Sequence, residues 1–264
     1  FPFILGRIFM DKGITVKSVD RAMQLLKLIG KKKEGCGVTE LANQVDINKS
    51  SVYKILITLA KYGLIEQDPS TGKYRLSFGL LELSSSLLES LDLRTQAYPY
   101  LLELEKATNE VIHLVVLDQG EVVYIEKLEG NETLRMHSKV GRRAPVHCTG
   151  VGKAILAYLP SHEVDSILEK HGMAKHTEYT ITDKKTFYRE LERVRQQGYA
   201  LDEEENELGI KCVGAPIFDH RGQVIAAISV SGPTVRMSEE RKRELVQLVK
   251  DTSIKISRRM GYRR

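Results

Sequence analysis

The sequence contains no tryptophan, and only three of its 264 residues are cysteines. Cys36, Cys148 and Cys212 are odd in number, and no two of them stand in a Cys-x-x-Cys spacing. This usage argues against a disulfide framework or a zinc finger and fits a reducing cytoplasm. No apolar run approaches the ~18 residues that a membrane-spanning helix requires. We therefore expect a cytoplasmic protein that has no membrane segment.

The chain opens on a short apolar stretch, "FPFILGRIFM". It is too short to span a membrane, and it lacks the basic start and small-residue cleavage site of a secretory signal. We treat residues 1–14 as an extension without an assigned role. The remaining length is sufficient for two domains, each with a core of its own.

Positive charge is concentrated in the N-terminal third. Residues 15–85 carry 11 Lys and Arg against 7 Asp and Glu, whereas residues 86–264 carry 27 of each sign. A localised positive surface attracts a phosphate backbone. The distribution indicates nucleic-acid contact at the front of the chain and another task behind it.

Three helical patterns follow one another in this basic third. "SVDRAMQLLKLI" has apolar residues at helical spacing, "VTELANQV" forms a short second helix, and "KSSVYKILITLAKYG" forms a third that Asn48 can cap. In a helix-turn-helix, the second helix of the pair enters the major groove and its early residues reach base edges. The segment "LIEQDPSTGKYRL" then predicts a β-hairpin around an Asp-Pro-Ser-Thr-Gly turn, which is a wing.

A winged helix-turn-helix predicts contacts from its exposed hydroxyl and basic residues. A three-helix module that binds another protein is the alternative, and the basic excess together with the wing favours DNA. The predicted DNA-contacting residues are Thr39, Lys49, Ser50, Ser51, Tyr53, Lys54, Lys73 and Arg75.

The C-terminal two thirds combine hairpins with separate helices. Strand patterns at 111–129 and 209–232 form two hairpins, and 133–141 and 144–148 are further strand candidates. Helical patterns occupy 150–159, 161–171, 184–197 and 238–260. This arrangement predicts an α+β fold with a mostly antiparallel sheet. The predicted domains are a winged helix-turn-helix over 15–80, a linker helix over 81–94 and a second, α+β domain over 95–264.

The stretch "HCTGVGKA" contains Gly-x-Gly-Lys at the start of an apolar run. A nucleotide-binding P-loop is excluded, because Val146 occupies the position of its first glycine and Ala154 follows Lys153 where a hydroxyl is required. A helix beginning here would offer free N–H groups to one small anion such as a carboxylate. An ordinary glycine-rich turn that caps a helix is the alternative.

Two other functions for the polar residues were weighed. Cys212 with Asp202 could serve an enzyme acting on a small keto acid, and His147, Cys148 and Cys212 could hold zinc, although they lack ligand spacing on a common element. The same residues serve binding without a reaction, and an attached DNA-binding module favours a sensor. We therefore predict no catalytic residue, no metal and no cofactor.

Residues 16–83 resemble the winged helix-turn-helix of the IclR family of bacterial transcription regulators, without an obvious gap. One departure is Lys54, where many relatives carry arginine, which weakens bidentate recognition of guanine. Residues 95–261 resemble the GAF-like effector domain of the same family through "GRRAPVHCTGVGKA", "GYALDEEENELGIKCVGAPIFD" and "AAISVSGP".

The resemblance implies a regulator that forms homodimers or homotetramers and binds double-stranded DNA and a small carboxylate. It implies main-chain N–H groups, an Asp, a Cys and two serines as polar contacts, with an apolar wall beside them. Carried over by position, the effector-binding residues are Met136, Gly150, Val151, Asp202, Ile210, Cys212, Ser229 and Ser231.

Within the family, "VIHLVVLD", "VVYIEKLEG", "LRMHSKVGRRAP" and "KISRRMGY" are most similar to the repressors of pectin and hexuronate catabolism. That subgroup responds to 2-keto-3-deoxygluconate, a keto acid with several hydroxyls. The resemblance thus implies a repressor of a sugar-acid catabolic operon, rather than an enzyme.

Overall fold

The computed structural model describes residues 16–83, 92–130 and 138–263 and divides the chain into two compact units, Phe1–Ser90 and Leu91–Arg264. The extension expected over 1–14 lies outside the described residues. So does most of the linker helix expected over 81–94; residues 79–83 are helical. No helix in the described ranges is both long enough and apolar enough to cross a membrane.

The first unit is a winged helix-turn-helix. Its elements are α1 (Lys17–Ile29), α2 (Val38–Val45), α3 (Lys49–Lys61), β1 (Ile65–Gln67) and β2 (Tyr74–Leu76). Asp46, with a φ of 50°, makes the left-handed turn between α2 and α3. The two strands pair antiparallel, with Ile65 opposite Leu76, and they form the expected wing.

One apolar core joins these elements. Leu25 and Ile29 from α1 are buried with Leu41 from α2 and Leu56 from α3. Tyr74 of the wing is buried in the same cluster and bridges Cys36 through two main-chain hydrogen bonds of 2.9 Å. The wing is therefore anchored to the helices rather than free.

The second unit is α+β with an antiparallel sheet, as predicted. Along the chain its elements are α4 (Leu93–Thr108), β3 (Val111–Asp118), β4 (Glu121–Leu128), β5 (Arg143–Ala144), α5 (Gly150–Leu156), α6 (Ser161–His171), α7 (Lys184–Gln197), β6 (Ala200–Glu203), β7 (Ile210–Phe218), β8 (Val224–Pro233), a 3₁₀ turn (Thr234–Arg236) and α8 (Glu239–Arg259). The strand order is β5-β4-β3-β8-β7-β6, and every neighbouring pair is antiparallel.

The sheet has apolar layers on both faces. On one face, Ile112, Val213 and Ile228 pack in a cluster with Leu101 of α4 and Val249 of α8. The other face packs in a second cluster with α5, α6 and α7. Side chains alternate between the faces of a strand, so every second residue of β3, β7 and β8 points to the α5 side.

The prediction from the sequence was wrong about the extent of one strand and missed another strand. The candidate at 144–148 is a strand only at Arg143–Ala144, because Pro145 has no N–H to continue the ladder and residues 146–149 bend into the cap of α5. Residues 133–137 of the candidate strand at 133–141 lie outside the described residues, and residues 138–141 do not form a strand. Strand β6, which forms the sheet edge, was not predicted.

Candidate functional site

Helix α3 begins with a fixed first turn. The Asn48 Oδ1 atom accepts hydrogen bonds from the Ser51 N–H at 2.8 Å and from the Ser50 hydroxyl at 2.9 Å. Ser50 and Lys54 are exposed, and Tyr53 is 50% exposed. A capped helix with exposed short hydroxyls in its first turn can approach a groove closely.

All eight residues predicted to contact DNA lie in the described ranges. Ser51 is half-buried; the other seven are exposed, namely Thr39, Lys49, Ser50, Tyr53, Lys54, Lys73 and Arg75. Their contact with DNA stays a prediction.

The wing holds two of these side chains in different states. The Arg75 guanidinium donates to Glu66 Oε1 at 2.7 Å, so an ion pair within the wing already occupies it. Asp68 accepts from the Ser70 hydroxyl and from two main-chain N–H groups, and these bonds lower its pKa to about 2. The turn is therefore rigid, and Lys73 projects from it without a carboxylate partner among the described residues.

A cavity of about 370 Å³ lies in the second unit, on the α5 side of the sheet. Seven of the eight effector-binding residues predicted from the sequence line it: Gly150, Val151, Asp202, Ile210, Cys212, Ser229 and Ser231. Met136, the eighth, lies outside the described residues. Residues far apart in the sequence thus surround one space.

Strand register explains why these polar residues meet. Asp202 of β6 is opposite Cys212 of β7, which is opposite Ser231 of β8. Ser229, two residues along β8, is opposite His113 of β3. Directly opposed residues point to the same face, so these five side chains form a polar patch on a face that is otherwise apolar.

The start of α5 forms another wall of the cavity. The Thr149 hydroxyl accepts from the Gly152 N–H at 3.2 Å and donates to the Pro145 carbonyl at 2.7 Å, which caps the helix. The helix has only seven residues, so its dipole is short. An anion at Gly150 and Val151 would therefore be held by individual N–H groups rather than by a long aligned dipole.

The structure adds cavity residues that the sequence did not predict. His113 is buried, and its Nδ1 is 3.3 Å from the Ser229 hydroxyl and 3.4 Å from the Ser231 hydroxyl, while its Nε2 is 2.8 Å from the Ser138 hydroxyl. A histidine inside the apolar run "VIHLVVLD" was the available signal. Further lining residues are Tyr124, Ser138, Arg142, Arg143, Thr149, His176, Asn206 and Glu207.

Burial keeps the polar patch close to neutral. It lowers the pKa of His113 to about 3 and raises the pKa of the Cys212 thiol well above its usual value. Burial also raises the pKa of Asp202 to about 7, against the opposing effect of the nearby Lys153 cation. Asp202 thus holds a proton for part of the time at neutral pH, and a protonated carboxyl can donate a hydrogen bond.

Behind this patch lies a buried ion-pair network. Lys153, only 1% exposed, forms a close ion pair with Glu205 and a second, at 3.6 Å, with Glu190. The Glu205 N–H donates to Asp202 Oδ1 at 2.8 Å. The network therefore connects α5, α7 and the turn after β6, and it holds Asp202 in place.

This electrostatic environment does not suit nucleophilic catalysis. A reactive cysteine needs a lowered pKa and an adjacent base. The pKa of Cys212 is raised, and no histidine of the described ranges is hydrogen-bonded to it. The cavity has the chemistry of a binding site.

Comparison with known proteins agrees with a DNA-binding first unit and a ligand-binding second unit. The family model "IclR helix-turn-helix domain" matches residues 18–69, and "Bacterial transcriptional regulator IclR C-terminal" matches residues 85–258. The chain belongs to the IclR family. It is a DNA-binding transcriptional regulator with an effector-binding C-terminal domain, and the alternative of an enzyme finds no support.

Relatives of this IclR-family chain match along nearly all of it. The HTH-type transcriptional regulator KdgR of Escherichia coli K12 is 41% identical over 248 residues, 94% of each chain. The crystal structure of Thermotoga maritima IclR is 35% identical, with a TM-score of 0.63 over 93% of this chain and 99% of that one. The Agobacterium tumefaciens repressor BlcR is 25% identical, with a TM-score of 0.80 over 94% and 98%.

Proposed function

We propose that this regulator represses a sugar-acid catabolic operon and that a small keto acid bound in the second unit controls it. The cavity carries the proposal: Asp202, Cys212, Ser229 and Ser231 converge there with His113. Its volume of about 370 Å³ lies at the small end of ligand pockets, roughly 300–1,000 Å³, which suits a sugar-sized acid.

We infer a specific orientation for this ligand. Its carboxylate faces the main-chain N–H groups of Gly150 and Val151, where an anion finds donors. The protonated Asp202 carboxyl donates to the 2-keto oxygen. The Ser229 and Ser231 hydroxyls face the sugar hydroxyls, and Ile210 covers the carbon chain.

2-Keto-3-deoxygluconate is the first candidate effector. Its keto acid end matches the donors at α5 and Asp202, and its hydroxyls match the serines. A site that bonds ligand hydroxyls discriminates against analogues that lack them, because its own buried polar groups would stay unpaired. Similarity to KdgR supports the same choice of ligand class.

Thermal stabilisation of the full chain by a panel of acids tests the proposal. We expect 2-keto-3-deoxygluconate to raise Tm in a concentration-dependent way, and pyruvate, which lacks the hydroxyls, to raise it far less. The double variant Asp202→Ala with Ser229→Ala should lose this response and keep DNA binding. Its matched control, Asp251→Ala with Ser161→Ala, changes exposed residues of the same unit and should respond normally. A normal response in the first variant would refute the pocket assignment.

We also propose that the regulator acts as a homodimer or homotetramer in the cytoplasm, where its operator is. Two winged helices on adjacent major grooves must stand about 34–36 Å apart, so an effector that changes their separation changes DNA affinity. Binding of operator and effector is then reciprocal: each changes the affinity of the other by the same factor. Light scattering of the free protein and of its operator complex measures the assembly, and a monomer in both would refute it.

A further inference from the structure

Three side chains of types that can bind a metal lie close together, and one of them, His176, lines the cavity. His147 and Cys148 precede α5, and His176 lies in the loop between α6 and α7. One donor atom from each side chain lies within 4.8 Å of the other two. No spacing in the sequence joins His176 to the other two, so only the fold shows this group.

The loop that carries His176 is held against the turn after β6. The Thr177 hydroxyl donates to the Glu204 carbonyl at 2.6 Å, and the Thr180 hydroxyl donates to the Glu205 carbonyl at 2.6 Å. The Thr180 hydroxyl in turn accepts from the His176 N–H at 3.1 Å. These hydrogen bonds fix the position of the His176 backbone, while its exposed imidazole can still change rotamer.

His147 is oriented as a metal ligand would be. Its Nε2 lies 3.0 Å from the Ala174 carbonyl oxygen, which can only accept, so Nε2 carries the proton. The lone pair of the ring is then on Nδ1. A histidine that gives its other N–H to a main-chain carbonyl is the usual arrangement around protein-bound metals.

Negative charge lies near the Cys148 thiol, on which the Glu205 carboxylate acts electrostatically. The Cys148 Sγ lies 3.5 Å from Asn206 Oδ1, on the same turn as Glu205. The Glu205 Oε2 atom is buried and has no hydrogen-bond partner among the described residues, although Oε1 is paired with Lys153. A buried carboxylate oxygen without a partner is costly, and a nearby cation would compensate it.

We propose that His147, Cys148 and His176 bind one divalent transition-metal ion of the zinc class, with a fourth coordination position open to the effector cavity. Two imidazoles and a thiolate select zinc over magnesium or calcium, which prefer oxygen. Zn–N distances of about 2.0–2.1 Å and a Zn–S distance of about 2.3 Å place tetrahedral donors about 3.3–3.6 Å apart. Rotation of the exposed His176 side chain supplies that contraction. Binding releases the thiol proton to solvent as the Zn–S bond forms.

The open position gives the ion a role in sensing, and this step depends on the proposed function. Both His176 and Asn206 line the cavity, so the fourth position faces the space assigned to the keto acid. A carboxylate or keto oxygen of that acid would be the fourth ligand. Three protein ligands and one exchangeable position are the pattern of zinc sites that act on small molecules.

Zinc titration of the full chain, purified without a histidine tag and stripped with chelator, tests the site. We expect one equivalent of Zn²⁺ per chain in competition with a chromophoric chelator. Cobalt in its place should give a thiolate-to-metal charge-transfer band. His176→Ala and Cys148→Ser should each weaken binding at least tenfold, and Cys148→Ser should remove the band. His162→Ala, which changes an exposed histidine outside the group, is the matched control and should bind normally.

His176 is exposed, so its variant separates ligand loss from misfolding, which circular dichroism checks independently. Absence of zinc binding at micromolar concentration in the unaltered chain, or binding that both variants retain, would overturn the metal site. A sugar-acid thermal shift in the chelated protein with no zinc binding would refute the metal site alone. Zinc binding without any sugar-acid response would refute the proposed effector and leave the metal site standing.

Discussion

Gly214 of β7 lies directly against Gly150 at the start of α5. A Cβ atom at position 214 would stand 2.7 Å from the Gly150 carbonyl carbon and 2.8 Å from its oxygen. Helix and strand therefore meet backbone to backbone. This contact brings the N–H groups of Gly150 and Val151 to the same cavity as the polar patch on the sheet.

The variant Gly214→Ala should separate these two walls. A methyl group cannot fit between two backbones, so α5 must retreat, and we expect a loss of about 1–3 kcal/mol in the free energy of unfolding. The thermal stabilisation by a keto acid should fall as well, because the N–H groups of Gly150 and Val151, which would hold its carboxylate, move away from Asp202. Urea unfolding and thermal-shift titration measure the two effects.

Gly150→Ala is the control for that variant. Its Cβ would come no nearer than 3.5 Å to Gly214 N, an ordinary contact, so the fold should tolerate it. Full stability and full effector response in Gly214→Ala would contradict the role given to this contact.

Effector affinity should depend on the protonation of Asp202. Burial raises the pKa of Asp202 to about 7; the Lys153 cation and the hydrogen bond from the Glu205 N–H oppose this effect, and the Glu205 carboxylate adds to it. The thiols of Cys212 and Cys148 beside Asp202 stay protonated at neutral pH. Below pH 7 the free protein already holds the proton that donates to the keto oxygen, so affinity should be flat. Above pH 7 binding must take up a proton, and affinity should fall by up to about tenfold per pH unit.

Calorimetric titration in the presence of chelator, from pH 6 to pH 9, measures this slope. Asp202→Asn keeps a donor at the same place and cannot titrate, so its affinity should not follow that profile. An equal slope in Asp202→Asn would assign the titration to another group.

The buried Lys153 should be worth more to stability than an exposed lysine. In Lys153→Met, Glu205 and Glu190 lose their partner inside the protein, and breaking a buried pair in this way costs about 3–5 kcal/mol. In Lys184→Met, only an exposed, solvent-screened pair with Asp165 is lost, and the loss of stability should be much smaller. Equal midpoints in urea for the two variants would show that Lys153 is not needed for the fold.

Much of the fold was predictable because local patterns and tertiary structure agree. The apolar run "VIHLVVLD" predicted a strand, and the helical spacing over 161–171 and 184–197 predicted two helices, with the same limits as in the structure. Strand β6 was missed because "ALDE" carries only two apolar residues, and its pairing with β7 comes from the fold rather than from its own pattern.

The candidate site likewise contains residues that the sequence predicted and residues that it missed. Resemblance to a family named seven residues that the structure brings to one cavity, since each lies in a recognisable motif. His113 and His176 were missed, because a single histidine in a strand or a loop has no partner visible along the sequence. The zinc set considered from the sequence included Cys212, whereas the donor group found in the described residues contains His176 instead.

The wing offers a test of the DNA-binding surface. Lys73 is exposed on it, whereas Arg75 is paired with Glu66, so the two positive side chains are not equally available to a phosphate. We expect Lys73→Ala to weaken binding to all duplexes by a similar factor and to reduce the slope of log affinity against log salt by about 1. Arg75→Ala should change that slope less, because forming a phosphate contact would first break its ion pair.

Lys61 provides the matched control for Lys73. It is an exposed lysine of the same unit at the last turn of α3, about 18 Å along the helix axis from Lys49, which lies at the end predicted to enter the groove. Lys61→Ala removes the same charge and should leave the salt slope nearly unchanged. Fluorescence anisotropy with an operator fragment and an unrelated duplex at several salt concentrations measures all three variants. Equal losses in Lys61→Ala and Lys73→Ala would mean that total charge, rather than the wing, sets DNA affinity.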